Sequence, residues 1–163
     1  FDETDSTNNQ AKRLAEEGAE HGLLVLSDCQ TSGKGRRGTF LGFQSRRRYF
    51  YDFAVKTGYS TGKCFYADPC DGTCVRAGIE DVVGIDTQIK WPNDVVLNGK
   101  KLVGILTEMS AQMNYIEYLV TGIGINANLR EFPEELEDKA TSLQKEIGHK
   151  VNRSALIAEC MEK

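Results

Sequence analysis

No stretch of this sequence approaches the roughly 18 consecutive apolar residues that a membrane-spanning helix needs. The first residues also lack the basic start and apolar run of a secretory signal. Positive charge is not in excess, because the formal net charge at pH 7 is −4, and this argues against general binding to nucleic acids. We therefore expect a soluble, cytosolic protein whose partners include neither a membrane nor a nucleic acid.

Cysteine pairs with CxxC spacing are absent as well. The five cysteines are Cys29, Cys64, Cys70, Cys74 and Cys160. The two histidines, His21 and His149, lie far along the chain from the group at 64–74. Zinc at Cys64, Cys70 and Cys74 is one interpretation of that group, but the odd total favours unpaired thiols in a reducing compartment.

What the chain does contain is the composition of one globular domain. Its 163 residues suit a single domain with its own core, and its fractions of 40% hydrophobic and 27% charged residues are ordinary. Thr7 and Gln10 have the spacing of a capping box and start a helix that ends at Gly18. We predict three further helices, over 75–84, from residue 134 onward and over 154–163. We also predict a strand over 23–27 and a weaker one over 49–55.

The clearest local structure is a β-hairpin. Asn98-Gly99 suits the positive φ angles of a type I′ turn, and the apolar runs 95–97 and 102–106 flank it. A third apolar run, 115–125, follows a polar connection at 110–114. We therefore predict an antiparallel meander over 94–126.

A loop after the first strand combines glycines with cations. Its sequence is Gly33-Lys34-Gly35-Arg36-Arg37-Gly38. Glycines let the main chain approach a ligand closely, and arginine pairs bidentately with phosphate or carboxylate oxygens. The loop therefore predicts a site for a small anion, and the alternative is an exposed, solvated basic turn.

Two further elements favour a binding site over that alternative. They are Lys90-Trp91-Pro92-Asn93-Asp94 and Gly122-Ile123-Gly124-Ile125-Asn126. Taken singly, a Pro-Asn-Asp turn and a strand bulge would explain them. Their occurrence beside the basic glycine loop in one small domain favours a site.

Five motifs in this order resemble the catalytic domain of biotin protein ligases. They are Asp5-Ser6-Thr7-Asn8, the run from Gln30 to Gly38, Lys90 to Asp94, Lys101-Leu102-Val103-Gly104-Ile105-Leu106, and Gly122 to Asn126. The resemblance covers 1–40 and 76–163, including Ala140-Thr141-Ser142-Leu143. It implies an α+β fold in which helices pack on a mixed, largely antiparallel sheet. Lipoate ligases share that fold, but the basic glycine loop followed by Lys-Trp-Pro-Asn-Asp is typical of the biotin branch.

The resemblance implies a two-step reaction. Biotin and MgATP give biotinyl-5′-AMP and pyrophosphate, and biotin then passes to one lysine of the biotin carrier domain of a carboxylase. The implied cofactors are ATP and Mg²⁺, with biotin as the substrate. Because the biotin carboxylate and the triphosphate repel each other, cations are required where they meet.

The resemblance also implies a role for individual residues. Arg36 and Lys101 would be the catalytic cations, and Asp94 would hold Mg²⁺ through ATP. Biotin contacts are implied for Ser6, Thr7, Asn8, Gln30, Gly33, Lys34, Gly35, Arg36, Lys101, Gly122 and Gly124. ATP contacts are implied for Arg36, Arg37, Gly38, Lys90, Trp91, Asn93, Asp94, Lys101 and Asn126.

Structural alternatives exist for several of these residues. Ser6 and Thr7 also suit helix capping, Gln30 a surface amide, and Lys101 a solvated lysine at a strand edge. At the level of function, one alternative is a lipoate or octanoate ligase, which would need a deep apolar channel. Another is a non-catalytic fragment that binds biotin or its adenylate.

The resemblance also bears on how the chain is organised. Residues 41–74 depart from the family's pattern, through either ordinary divergence or an out-of-frame reading between two compensating shifts. The last predicted helix reaches Lys163 without a cap, so we expect one catalytic domain, 1–163, truncated at its C-terminus. We expect neither an N-terminal DNA-binding domain nor a C-terminal β domain, and hence no repressor function. A homodimer is left open.

Overall fold

The computed structural model describes residues 1–35, 49–55 and 72–163. Its fold is α+β, with helices and largely antiparallel strands, and this confirms the fold class predicted from the sequence. The chain divides into two compact units. The first comprises Phe1–Asp68 and Leu106–Gly124, and the second comprises Pro69–Ile105 and Ile125–Lys163.

The first unit is built from a helix and the strands that follow it. Helix α1 spans Thr7–Glu16, strand β1 Leu23–Ser27, strand β2 Tyr49–Val55, strand β5 Lys100–Gln112 and strand β6 Tyr115–Ile125. The strand order in this unit is β1-β2-β6-β5, and β1 and β2 are antiparallel. β5 and β6 each contribute residues to both units.

The core of the first unit forms between α1 and its strands. Ala11 of α1, Val25 of β1 and Val120 of β6 are buried against one another, and Leu14 and Tyr118 pack against them. Burial of apolar side chains at this helix–sheet contact is the main source of stability for such a unit.

The second unit carries the remaining elements. They are α2 (Gly72–Val83), β3 (Gln88–Lys90), β4 (Asp94–Leu97), the first residues of β5, α3 (Glu134–Glu137), α4 (Leu143–Ile147) and α5 (Arg153–Glu162). β3, β4 and β5 are neighbours in that order, and each adjacent pair is antiparallel. Gly78 lets α2 pack closely on Cys160 of α5, since a Cβ built on Gly78 would lie 2.6 Å from the Cys160 Sγ.

The hairpin prediction is confirmed. Asn98 and Gly99 form the turn between β4 and β5 with φ angles of 51° and 78°. The turn is also tied to α4, because the Asn98 Nδ2 donates to the Glu146 Oε2 at 3.5 Å. The other oxygen of Glu146 accepts from the Thr141 hydroxyl at 2.5 Å.

Two boundary predictions are wrong in detail. Ser6, not Thr7, is the N-cap of α1, and its side chain accepts from the backbone N–H of Asn9 at 3.5 Å. The connection at 110–114 is shorter than predicted, since β5 extends to Gln112, while β6 begins at Tyr115 as predicted. In the added part of β5, the Ser110 hydroxyl donates to the Glu117 carboxylate of β6 at 2.6 Å.

Other predictions fall partly on residues 36–48 and 56–71, which lie outside the described residues. One is the interpretation of the cysteines as a zinc site, because Cys64 and Cys70 lie there. Another is most of the segment 41–74, which departs from the family's pattern. Strand β2 at Tyr49–Val55 confirms the weak strand prediction. Within the described ranges, every helix is too short or too polar to cross a membrane.

Candidate active site

The first group of predicted site residues lies at the start of α1. Ser6, Thr7 and Asn8 are all buried, with 0%, 0% and 2% of their surface exposed. The first N–H groups of a helix have no partner within the helix, so short polar side chains are favoured there. Ser6 meets this need as the cap, and the capping interpretation is therefore correct for Ser6.

Gln30 is joined to the same end of the helix. Its Oε1 accepts from the backbone N–H of Thr7 at 2.8 Å and from the Thr7 hydroxyl at 3.1 Å. Because a backbone N–H can only donate, the amide oxygen must face Thr7 and the Nε2 must face elsewhere. The interpretation of Gln30 as a surface amide is wrong, since only 9% of the residue is exposed. What Gln30 offers a ligand is a hydrogen-bond donor.

Backbone pairing fixes the position of Gln30. Thr4 and Gln30 form a parallel bridge. The N–H of Thr4 donates to the carbonyl of Cys29 at 3.0 Å, and the N–H of Thr31 donates to the carbonyl of Thr4 at 2.9 Å. The glycine loop therefore starts from a segment that is tied to the chain in front of α1.

Asp5 is committed to a structural contact. Its carboxylate accepts from the Arg13 guanidinium at 2.6 and 3.2 Å and from the Asn9 Nδ2 at 3.0 Å. The hydrogen bonds from Arg13 lower the pKa of Asp5 far below its usual value of 3.8, against the smaller raising effect of partial burial. Asp5 thus stabilises the segment that presents Ser6 and Thr7.

At Gly33, the first glycine of the loop, the backbone angles do not require glycine. Gly33 is buried, but its φ lies in the range open to other residues, and a Cβ there would lie 3.8 Å from Gln30, an ordinary contact distance. Lys34 is exposed and Gly35 is half-buried. Arg36, Arg37 and Gly38 lie outside the described residues.

Two predicted glycines lie on β6. Gly122 is buried and Gly124 is half-buried. The run from Leu119 to Ile123 is buried at every position, so both faces of the strand are covered there.

The second group of site residues centres on Lys101, in the second unit. The Lys101 Nζ donates to the Asp94 Oδ1 at 2.7 Å, and the two side chains are 46% and 22% exposed. Lys101 is not a strand-edge lysine as in the structural alternative, because β4 pairs with it on one side and Ala140 on the other. The arrangement is an ion pair that a ligand can still reach.

The backbone of Lys101 is held by a segment far along the chain. Its N–H donates to the Lys139 carbonyl at 2.8 Å, and its carbonyl accepts from the Thr141 N–H at 3.0 Å. The Asn126 Nδ2 also donates to this carbonyl, at 3.5 Å. Ala140 and Thr141 belong to the stretch that resembles the family, but the sequence indicates no role for them, because no spacing rule predicts a parallel bridge between such distant residues.

Of the other residues predicted to contact ATP, one has a side chain that is hydrogen-bonded to the backbone and two are exposed. The Asn93 Nδ2 donates to the Ile105 carbonyl at 3.2 Å, and the Ile105 N–H donates back to the Asn93 carbonyl at 2.8 Å. Trp91 is 86% exposed and precedes a cis peptide bond to Pro92. Lys90 is exposed and lies opposite Asp94 in the β3–β4 register.

The described side chains could bind Mg²⁺ only together with phosphate oxygens of a nucleotide. No cluster of three or more His, Cys, Asp or Glu side chains with metal-binding geometry occurs among the described residues. Asp94 supplies one carboxylate, whose Oδ1 is engaged by Lys101. Because Mg²⁺ at nucleotide sites usually takes one or two carboxylates and completes its shell with phosphates and water, Asp94 is compatible with this role.

Comparisons with known proteins agree on one family. Residues 1–126 match the model of the Biotin/lipoate A/B protein ligase family. The chain is 39% identical over 163 residues to the bifunctional ligase/repressor BirA of Bacillus subtilis, covering 97% of this chain and 50% of that protein. It is 30% identical over 146 residues to the biotin--[acetyl-CoA-carboxylase] ligase of Mycobacterium tuberculosis, covering 86% and 52%.

A solved structure gives the same result. The fold is similar to that of the biotin protein ligase from Aquifex aeolicus in complex with biotin and ATP, with a TM-score of 0.80 and 31% sequence identity. The similarity covers 99% of this chain and 66% of that one. The chain spans about half the length of the curated relatives described above.

Proposed function

The chain belongs to the biotin/lipoate A/B protein ligase family, and from that membership we propose that it activates biotin with ATP and passes the biotin to a carrier lysine. The product of the first step is biotinyl-5′-AMP, and the acceptor is the biotin carrier domain of a carboxylase. The observation that carries the choice of biotin is the buried hydrogen-bonded pair of Thr7 and Gln30. A lipoyl or octanoyl chain would favour apolar walls instead.

The biotin ring is the part of the substrate that this pair would recognise. Its urea group needs both donors and acceptors, and Ser6, Thr7, Asn8 and Gln30 supply both kinds. A ring group left unpaired in a buried site would cost about 1 to 3 kcal/mol. These side chains therefore favour biotin over an acyl chain that lacks the ring. The proposed contact set is completed by Gly33, Lys34, Gly35, Gly122 and Gly124.

The first step joins two anions. An oxygen of the biotin carboxylate attacks the α-phosphorus of ATP, the bond from that phosphorus to the bridging oxygen breaks, and pyrophosphate leaves with the electron pair. No proton moves in this step. Lys101 would neutralise the carboxylate and the α-phosphate, with Arg36 as the second cation. Asp94 holds the ammonium of Lys101 in one place, so less reorganisation is needed when the substrates bind.

The nucleotide would lie against the second group. Asn93 and Asn126 are held by backbone contacts, and Lys90, Trp91, Arg37 and Gly38 complete the proposed ATP contacts. Asp94 would bind Mg²⁺ together with the phosphates, and the bound ion would supply further charge neutralisation at the triphosphate.

In the second step, the amine of the carrier lysine attacks the carbonyl carbon of the adenylate. AMP leaves with the electrons of the broken C–O bond, and the attacking nitrogen loses a proton. Because the reaction consumes ATP and modifies a carboxylase, we place it in the cytoplasm.

The experiment is to incubate the chain with MgATP and radiolabelled biotin, lipoate or octanoate, and to separate the adenylates by chromatography. We expect biotinyl-adenylate only. Lys101→Ala and Arg36→Ala should each lower its rate of formation about 100-fold or more, the usual loss when a charge-stabilising group is removed. Lys100→Ala is the matched control, since this neighbouring lysine donates to the Glu137 carbonyl instead.

Two outcomes would overturn the proposal. Formation of lipoyl- or octanoyl-adenylate in place of biotinyl-adenylate would assign the chain to the lipoate branch of the family. Binding of biotin with no adenylate formed would make the chain a non-catalytic binder.

A further inference from the structure

Lys101 and Gly104 lie on the same side of β5, although residues three apart in a regular strand face opposite sides. The β4–β5 register shifts between Val95 and Val96. The shift leaves Leu102 as an extra residue on β5, and Leu102 and the residue after it are both fully buried. This bulge interrupts the alternation and brings the side chain of Lys101 over Gly104.

The Lys101 side chain occupies the space that a side chain at position 104 would need. A Cβ built on Gly104 would lie 3.0 Å from the Lys101 Cε and 3.1 Å from its Nζ. Non-bonded carbon atoms normally approach only to about 3.5 to 4.0 Å, so the end of the lysine side chain would have to move by a few tenths of an ångström.

The side chain of Lys101 passes over Gly104 on its way to Asp94. Gly104 lies directly opposite Asp94 in the β4–β5 register. Lys101 therefore reaches Asp94 by crossing over residue 104, and the 2.7 Å contact between its Nζ and the Asp94 Oδ1 is made with the lysine lying against the bare backbone there. The backbone angles give no other reason for glycine, because the φ of Gly104 lies in the range open to other residues.

We propose that Gly104 is a positioning residue that directs the Lys101 ammonium to Asp94. The ammonium held there would face the carboxyl-phosphate junction of the substrates. The catalytic meaning of this role rests on the proposed function. The geometric part, the control of the contact between Lys101 and Asp94, does not.

The first test is kinetic. Gly104→Ala should lower the rate of biotinyl-adenylate formation by about 2- to 10-fold, because the end of Lys101 would have to move by a few tenths of an ångström, and a misplacement of about 1 Å costs about 100-fold. Its thermal midpoint should not fall, because alanine is accepted in a strand at least as well as glycine. Gly72→Ala is the matched control: a Cβ there would lie 3.3 Å from the side chain of Ile89, away from Lys101, and the rate should be unchanged.

A double-mutant cycle separates positioning from a general structural effect. In a Lys101→Ala background, Gly104→Ala should cause no further loss, since the group it positions is gone. A full additional loss in that background, or a normal rate for Gly104→Ala alone, would contradict the proposal.

The second test does not depend on catalysis. Reductive methylation followed by mass spectrometry gives the reactivity of Lys101 relative to Lys100. In Gly104→Ala this ratio should rise up to about fivefold, the range expected when a partly exposed ion pair is broken, and Asp94→Asn should raise it similarly. An unchanged ratio in Gly104→Ala would overturn the inference. A raised ratio in a chain that makes no adenylate would support the positioning geometry and count against the proposed function alone.

Discussion

Asn128 and Val151 are joined by two hydrogen bonds that together clamp one peptide segment. The backbone N–H of Val151 donates to the Asn128 Oδ1 at 2.9 Å, and the Asn128 Nδ2 donates to the Val151 carbonyl at 3.0 Å. Val151 is buried and lies just before α5. One side chain therefore fixes where the last helix of the second unit begins.

We expect Asn128→Asp to destabilise the protein by about 1 to 3 kcal/mol, because the donor Nδ2 is replaced by an oxygen that faces the Val151 carbonyl. Urea-induced unfolding followed by circular dichroism measures the change. Asn114→Asp, in the exposed turn between β5 and β6, is the control and should leave the midpoint unchanged. Equal effects of the two changes would show that the clamp contributes nothing.

Gln30→Ala should also destabilise the protein by about 1 to 3 kcal/mol, since the buried N–H of Thr7 loses its acceptor. The matched control is Gln10→Ala. Its Oε1 accepts from Arg13 on the exposed side of α1, so the cost should be under about 0.5 kcal/mol. Chemical denaturation compares the two, and a stability loss for Gln10→Ala as large as that for Gln30→Ala would be the contrary result.

Gly78→Ala tests the contact between α2 and α5. The added methyl would lie 2.6 Å from the Cys160 Sγ and 2.9 Å from the Cys160 backbone, so the helices must separate. We expect this to lower the free energy of unfolding by about 1 to 3 kcal/mol. Adding Cys160→Ala should restore only part of the stability, because the backbone contact remains. Thermal unfolding of the single and double variants measures both effects. Full restoration would mean that the sulfur alone sets the helix distance.

The ion pair of Asp5 with Arg13 predicts a pH dependence. The folded pKa of Asp5 is lowered, so its stabilising effect is complete above the usual value of 3.8 and is lost as the pH falls below it. The two side chains are 35% and 53% exposed, so the effect should stay below about 1 kcal/mol. Asp5→Asn should therefore flatten the fall in unfolding free energy between neutral pH and about pH 3. Asp2→Asn is the exposed control, and a slope for Asp5→Asn equal to that of the wild type would contradict the prediction.

The elements that the sequence predicted well are those set by local chemistry. Asn98-Gly99 fixes its own turn, because both residues tolerate positive φ. The strands at Leu23–Ser27 and Tyr115–Ile125 match their predicted bounds. The capping-box spacing predicts the cap of α1 at Thr7, one residue after Ser6, the observed cap; the Thr7 hydroxyl bonds instead to Gln30, a partner that no local rule supplies.

For the candidate site, the sequence indicates a set of residues but not the contacts between them. The motifs named Lys101 and Asp94 separately, and their ion pair depends on the register of two strands and a bulge at Leu102. A bulge leaves little trace in the sequence, because two adjacent apolar residues occur in regular strands as well. The support that Ala140 gives to Lys101 depends on a chain crossing that spacing does not encode.

The tie between the β4–β5 turn and α4 has a practical consequence. Exposed hairpin tips are the usual places to insert an affinity tag or a reporter peptide, because they tolerate added chain. Here the tip residue Asn98 bonds to Glu146, which in turn holds Thr141, the residue that bonds to the backbone of Lys101. An insertion at this tip would therefore disturb the lysine indirectly, and the turn at Met113 and Asn114 is the better place for a fusion.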